Sequence, residues 1–547
     1  MSRINTDLCY QILKEYYGEV LAAVGIFLVR NKTSSCGIIA HKSGLTILQV
    51  KQAIRSLIQQ NIVTFSQSKS GSIEYMASAN AILWRLRYPR YIHCAKMLFG
   101  DAAELLVEEI LLQGQSRLGS AVSKTTSKLN DSLVSIASAL PEISPSLVKD
   151  KVTTLVKARL LRRCEDIVKD KEGKFAVASG TVIDPELLFS LPTALDFEPV
   201  VGSKRPATTN PETSSKRLKL DSGDAADVQV MVNSDSAGCG ASEYWCVNVH
   251  QFHHHFRDQA IVAAVARNID QKASEVMRTM LRLSETRTLP TSPESVPLSL
   301  TEIYNALPKD KAMQKTTLEQ YLKCLSECCF DFVTKVGESG GGMYQINFFK
   351  AIKAICISHI ETIILERFGS KALRMFRVLL TDKQVEQKQV EERAMLPPKE
   401  AKELLYKMFA ENFIALTELS KTPDHAPTRT FYFFNVNLIQ LSRMLLEKCY
   451  QAEVNVMIRR RKCMSENKRL LDKQERVEAI IASLDADGAI EQKEEVEQMV
   501  TPSERAQLKK MAEATKMLEL CEIQLDHTIF ILETYLSYTL QPPPPKK

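Results

Sequence analysis

The chain has 547 residues, 45% hydrophobic and 25% charged. That is the balance of an ordinary globular protein, with material for three or four domains at about 150 residues each. The 71 Lys and Arg against 65 Asp and Glu leave a formal charge of +6, which permits a nucleic-acid partner without demanding one. The thirteen cysteines contain no CxxC pair, the cluster Cys324, Cys328 and Cys329 lacks zinc-finger spacing, and neither a signal core nor an eighteen-residue apolar run occurs. The composition therefore speaks for reduced thiols in the cytosol or nucleus and against a zinc ribbon, a secreted protein or a membrane span.

Read in chain order, residues 7–30 carry Leu8, Ile12, Leu13, Tyr16, Val20 and Val24 at helical spacing. A short helix over 36–43 ends at Gly44. A second starts near Thr46, a fair N-cap, and sets Ile47, Val50, Ile54, Leu57 and Ile58 on one stripe before Asn61 closes it. Ile62 to Gln67 and Ile73 to Ala77 alternate as strands around a polar tip, Ser68-Lys69-Ser70-Gly71. A helix-turn-helix followed by a β-hairpin wing is the winged-helix order, here over 1–80.

A second, more diffuse copy spans 81–196, with helices at 95–113 and 145–160 leading into Leu160-Leu161 and a wing closing through Phe175 and Val177. Residues 197–242 are rich in small and polar groups and are expected to form a disordered linker, since they cannot bury enough surface to offset their ordering entropy. A third copy spans 243–349: long helical patterns over 250–283, a short helix from Leu300 to Leu307, a recognition helix from Thr317 to Leu325, and a wing whose tip, Gly337 to Gly342, suits positive φ. A fourth spans 350–437. Ile352, Ile355, Ile360 and Ile364 mark its first helix, and Val378 to Met395 carries the next ones. Pro397-Pro398 starts a helix with Leu404, Leu405, Met408 and Phe409 as its buried stripe, and strands follow from Phe413 to Leu419 and from Thr430 to Val436.

From 438 to 540 the pattern is helical, with one arm over 438–484, a turn at Asp487-Gly488, and a second arm opened by the capping box Thr501-Pro502-Ser503-Glu504. Met511, Leu518, Leu525 and Leu532 recur every seven residues as a coiled-coil seam. The tail, 541–547, is proline-rich and extended. The predicted architecture is thus mainly α with small β-wings: four tandem winged-helix domains closed by an antiparallel helical hairpin.

The motifs favour binding over catalysis. Lys204-Arg205 and Lys216-Arg217-Leu218-Lys219, ten residues apart, have the spacing of a bipartite nuclear import signal. Lys51 and Arg55 flank the first recognition stripe and Lys69 sits at its wing tip; Lys399, Lys402, Lys407 and Arg429 occupy the same places in the fourth copy, interleaved with acids. These are the DNA-binding candidates, through phosphates; the alternatives for the same residues are an ordinary solvated face and a protein-docking face. Arg459 to Lys462, with Lys468 and Arg469, is the densest basic run and could meet nucleic acid or an acidic protein surface. Three successive histidines, His253 to His255, point about 100° apart on a helix and cannot face one ion. The glycine run Gly340 to Gly342 opens no helix and reads as a hairpin tip, not a phosphate loop. No nucleophile–base, HExxH or Rossmann pattern is present, so no metal, cofactor or catalytic residue is expected.

The stretches RYPRY (87–91), FHHHFRDQAIV (252–262), SGGGMY (339–344), VEQKQVEE (385–392), KTPDHAP (421–427), RTFY (429–432) and SENKRLL (465–471) carry a specific resemblance. Over about residues 5–540 the chain resembles the family of third-largest subunits of RNA polymerase III, which is similar to the alpha subunit of general factor IIE. The resemblance implies four extended winged helices, a C-terminal coiled coil, and a non-catalytic nuclear role. It implies a heterotrimer with two smaller polymerase III subunits, and contacts with DNA and transcription factor IIIB during promoter opening for tRNA, 5S rRNA and other short RNAs. It further implies a part in sensing AT-rich cytosolic DNA in innate immunity, and so a cytosolic pool. The competing expectation is a winged-helix scaffold of a large assembly with no DNA contact.

Overall fold

The computed structural model describes residues 2–67, 71–136, 144–164, 167–169, 175–177, 188–190, 244–285, 287–288, 292–308, 313–328, 330–420, 430–487, 496 and 499–540. They fall into two compact units. One comprises Met1–Asn31, Ile82–Arg87 and Phe252–Lys547; the other comprises Lys32–Ala81 and Tyr88–Gln251.

One order of elements recurs along the chain: two helices, a short strand, a short helix, a recognition helix and two wing strands; the second repeat departs from it, with the single bridge residue Ser116 for the short strand and the 19-residue helix Leu118–Ile136 for the short helix. The first repeat is α1 (Arg3–Tyr17), α2 (Glu19–Asn31), β1 (Thr33–Ser34), α3 (Cys36–Ser43), α4 (Ile47–Gln59), β2 (Val63–Gln67) and β3 (Ile73–Ala77). After α5 (Ala79–Leu83) and a 3-10 turn over Trp84–Arg87, the second has α6 (Tyr88–Phe99), α7 (Asp101–Gln113), α8 (Leu118–Ile136), α9 (Pro145–Lys157), β4 (Leu161–Arg163), β5 (Ile167–Lys169), β6 (Phe175–Val177) and β7 (Trp245–Val247). The third is α10 (Val249–Asn268), α11 (Gln271–Glu285), β8 (Leu298–Ser299), α12 (Leu300–Ala306), α13 (Lys315–Glu327), β9 (Val333–Gly337) and β10 (Met343–Ile346). The fourth is α14 (Phe348–Phe368), α15 (Ser370–Asp382), β11 (Val385–Glu386), α16 (Gln387–Ala394), α17 (Pro398–Ala410), β12 (Ala415–Ser420) and β13 (Thr430–Asn435).

Backbone chemistry repeats with the order. Asn61, Arg159, Asp331 and Asn412 each follow a recognition helix with positive φ, between 48° and 63°. At three of these sites the next amide reaches back five residues: Ile62 to the Leu57 carbonyl, Leu160 to Leu155 and Phe413 to Met408, at 2.9–3.0 Å. That left-handed closure satisfies the last helical carbonyls and turns the chain into the wing. Asn and Asp tolerate it because their short polar side chains bond locally. Gly18, Gly100 and Gly369, with φ from 84° to 88°, join the first two helices of their repeats. The helix expected over 95–113 is accordingly two helices broken at Gly100, and α8 was not anticipated.

In three repeats the sheet order is short strand, second wing strand, first wing strand: β1-β3-β2, β8-β10-β9 and β11-β13-β12. The second repeat keeps this order across a long excursion. β4 pairs with β7, Leu161 opposite Val247, and Ser116 bridges Trp245 on the other side. Residues 245–247, expected in the third copy, thus complete the second wing. Phe175 and Val177, expected to close that wing, lie in β6, which pairs with β5 and adds to the first wing at Ser66–Ala176. Strand pairing over more than eighty residues leaves no local sequence signal, so alternation alone misassigned it. The polar segment 197–242 and the tail 541–547 lie outside the described residues.

Wings feed directly into long helices. Asn347 and Asn437 cap α14 and α18 (Leu438–Glu466), each accepting from the amide three residues on. The hairpin's first arm is α18 followed, after a break at Asn467, by α19 (Lys468–Asp487). Its return arm is α20 (Pro502–Leu540), 39 residues and so about 58 Å long. The expected capping box closes its start: the Thr501 amide donates to Glu504 at 2.9 Å, and the Glu504 amide to Thr501 Oγ1 at 3.3 Å. Lys473–Glu504, Arg460–Glu522 and Tyr450–Glu533 contacts establish an antiparallel pair. Met511 and Leu532 are buried in its seam, and Leu518 and Leu525 are half-buried. Leu508, Ile529 and Leu536 supply the alternate positions of the three–four spacing, with polar Thr515 and Glu522 between them.

Candidate nucleic-acid interface

α4 shows how a recognition helix is held. Thr46 and Gln49 form a reciprocal capping box at its start. Val50, Ala53, Ile54 and Leu57 are buried, while Lys51 and Arg55 lie on the solvent face. Ile47, expected on the buried stripe, is exposed, because it sits in the first turn, ahead of the buried stripe. The other end is pinned within its own unit: Gln60 Nε2 donates to the Leu112 carbonyl at 2.8 Å and Gln115 Nε2 to Asn61 Oδ1 at 2.6 Å. Gly114, at φ 76°, lies so close that a Cβ there would sit 2.7 Å from Gln60 Cα and collide with the Gln59 carbonyl.

In α17, Pro397 is the N-cap and Pro398 the first helical residue. Ala401, Leu405 and Met408 are buried, but Leu404 is half-buried and Phe409 exposed, so the buried stripe is narrower than expected. Lys399, Lys402 and Lys407 are exposed. Two of the acids around them are engaged elsewhere, Glu400 by Lys371 at 2.6 Å and Glu411 by Arg367 at 2.5 Å. Among the described residues, no ion pair neutralises Lys51, Arg55, Lys399, Lys402 or Lys407. Lys69, Arg429 and the basic clusters Lys204, Arg205, Lys216, Arg217 and Lys219 lie outside the described residues.

The densest basic run behaves differently. Arg460 binds Glu15 at 2.6 Å and Glu522 at 2.9 Å, and Arg461 binds Gln11 at 2.7 Å and Glu15 at 3.3 Å. Two of its four cations therefore clamp α1 to the hairpin instead of facing an outside ligand. Arg459, Lys468 and Arg469 remain exposed.

The buried polar centre of the hairpin was missed by sequence reasoning. Arg87, inside the RYPRY motif, donates through Nε to Asp526 and through Nη2 to Glu533, both at 2.7 Å, and Tyr450 donates to the other Glu533 oxygen at 2.7 Å. Glu453 is fully buried with neither carboxylate oxygen hydrogen-bonded among the described residues. Burial first, then the Glu522 and Asp526 carboxylates, push its pKa up to about 8. Charged residues recurring inside a helical period look like solvated faces in sequence, and only the packing shows otherwise.

His253 sits between Trp84 and Phe530, with ring centroids 5.6 Å from each, and His255 meets Gln259 at 2.9 Å. Burial lowers the His255 pKa. Gly340, Gly341 and Gly342 form the positive-φ turn between β9 and β10.

Comparison with known families matches four models in order along the chain. They are the RNA polymerase III subunit RPC82 helix-turn-helix domain (residues 7–68), RNA polymerase III subunit RPC82 (189–355), the POLR3C C-terminal winged-helix domain (360–436) and the DNA-directed RNA polymerase III subunit RPC3 helical hairpin domain (469–531). Among individual proteins, the chain is similar to the DNA-directed RNA polymerase III subunit RPC3 of Bos taurus, 41% identical over 99% of this chain and 100% of the relative. The Homo sapiens protein of that name is 40% identical over 99% and 100%, and the Danio rerio protein 38% over 98% and 99%.

Proposed function

The chain belongs to the RPC3 family, a non-catalytic subunit of RNA polymerase III and hence of the nucleus, and from that premise we propose that it acts in transcription initiation by guiding DNA while docking partner subunits. The observation that carries this reading is that Lys51 and Arg55 on α4 and Lys399, Lys402 and Lys407 on α17 have no ion pair among the described residues, so that cations stand on the solvent faces of two recognition helices. Each gives a phosphate its counterion, and release of condensed ions supplies the free energy. Held on the polymerase, weak contacts act at high effective DNA concentration, so the isolated chain binds DNA feebly and with strong salt dependence. Its partners in this reading are the two smaller subunits of the initiation heterotrimer and transcription factor IIIB. The basic clusters at 204–219 serve nuclear import, and a cytosolic pool uses the same phosphate contacts in sensing AT-rich DNA.

The test is K51E/R55E in reconstituted polymerase on a tRNA promoter. Assembly is expected to survive, because both side chains are exposed. Permanganate reactivity of the melted region is expected to fall severalfold. Intact assembly with unchanged opening would favour the scaffold reading, in which these helices contact no DNA.

A further inference from the structure

In each repeat the first wing strand has one side turned away from its own wing, and the four strands differ in how that edge is protected. β4 is Leu161-Arg162-Arg163, three residues of which two are cations. β9, VTKVG, carries the exposed Lys335 and ends in glycine. β12, ALTELS, carries the exposed Glu418. Short length and charge keep a sheet edge from pairing with a foreign strand. Among the described residues, no strand covers these three edges. β2, VTFSQ, has neither protection: it is five residues long, rich in β-branched and aromatic groups, and without charge. Its edge is covered, by β6 with β5 outside it.

The covering hairpin is not needed by its own repeat, because β7 completes the second wing by pairing with β4. All of these strands lie in one compact unit. The hold of β6 on β2 is slight, a single residue pair, Ser66–Ala176, against five pairs between β2 and β3. We propose that β5–β6 is a guard, which keeps β2 from pairing with the β2 strand of a second copy of this chain. Two β2 strands related by a two-fold axis form an antiparallel pair centred on Phe65, with Ser66 of each copy opposite Thr64 of the other. Both Thr64 and Ser66 are exposed, and neither carries a charge that would oppose the pairing. β6, seated at Ser66, occupies the middle of the ladder that the second copy would form. The hairpin thus does for the first repeat what charged residues on the strand itself do for the other three. It keeps free chains apart independently of any contact with DNA.

The experiment uses the full-length chain, with residues 165–178 replaced by an equally long Gly-Ser segment, and sedimentation equilibrium over a range of protein concentrations. The guardless variant is expected to self-associate, its mass rising toward that of a dimer at concentrations where the parent stays a monomer. Adding T64K/S66K is expected to return it to a monomer, because the two-fold pairing sets like charges opposite one another. In each single copy the same substitutions are accommodated, since both positions are exposed and Ser66 lies opposite Glu74. A176P, in the otherwise intact chain, is the second route to an open edge, since a strand paired on both sides does not accommodate proline. It is expected to self-associate in the same T64K/S66K-sensitive way, and it decides the matter if the Gly-Ser variant fails to fold. Hydrogen exchange of the β2 amides is followed in parallel. A folded guardless chain that stays monomeric overturns the proposal, and faster β2 exchange without self-association would make the hairpin a brace for the wing instead. Association that persists with T64K/S66K overturns it as well, by placing the contact elsewhere.

Discussion

Replacing Glu453 by Gln should stabilise the protein at neutral pH. Glu453 lies on α18, and it faces Glu522 and Asp526 on α20, Glu15 on α1, and Arg460 on its own helix. Arg460 is already engaged by Glu15 and Glu522, so its charge offsets little of the repulsion. Folding raises the carboxyl from its ordinary 4.5 to about 8. Between those values the folded chain holds a proton that the unfolded chain releases, so stability falls as pH rises, by about 1.4 kcal/mol per unit. The contribution is fully present below the unfolded value and lost above the folded one. By pH 7 the loss reaches about 3 kcal/mol. Gln is neutral in both states, so E453Q should be more stable than the parent by about that amount at pH 7, with the two converging only at about pH 4 and below. The readout is urea denaturation followed by Trp84 fluorescence in a W245F background, which leaves a single tryptophan, in the same unit as Glu453. A parent midpoint that declines from pH 6 to 8, against a flatter profile for E453Q, is the expected result. Equal slopes, or a less stable E453Q at pH 7.5, would refute the reasoning.

Two further perturbations test the supports of the fold. R87M strands the Asp526 and Glu533 carboxylates; with the Arg87 and Asp526 side chains each 3% exposed, about 3–5 kcal/mol should be lost. R87M/D526N/E533Q should recover most of it, read by calorimetry; failure to recover would mean that Arg87 acts through its packing on Phe530, whose ring centroid lies 5.2 Å from the guanidinium carbon. G114A forces a Cβ into the Gln59–Gln60 backbone at φ 76° and should cost about 1–3 kcal/mol. Faster hydrogen exchange at the C-terminal end of α4 checks it, and an unchanged exchange pattern would show that the α7–α8 loop does not hold that helix.

The repeat was legible in the sequence because its signals are local. Thr46, Thr501 and Pro398 announce helix starts through groups within one turn, and Gly44, Asn61 and the triple glycine announce turns through backbone conformations that few residues adopt. The exposed cations of α4 and α17 were likewise readable, since periodicity alone assigns them to a solvent face. What only tertiary structure decided involves partners distant in the chain. β7 completes the second wing across the 164–244 excursion, and β6 joins the first wing instead of its own. Arg460 and Arg461 face Glu15 rather than a ligand, and Arg87 reaches Asp526 across more than four hundred residues. The seam was half legible: its leucines announce a seven-residue period, while Thr515 and Glu522 conceal the alternate positions. A charged residue is cheap on a surface and costly in a core unless paired, and sequence periodicity cannot show which pairing is available.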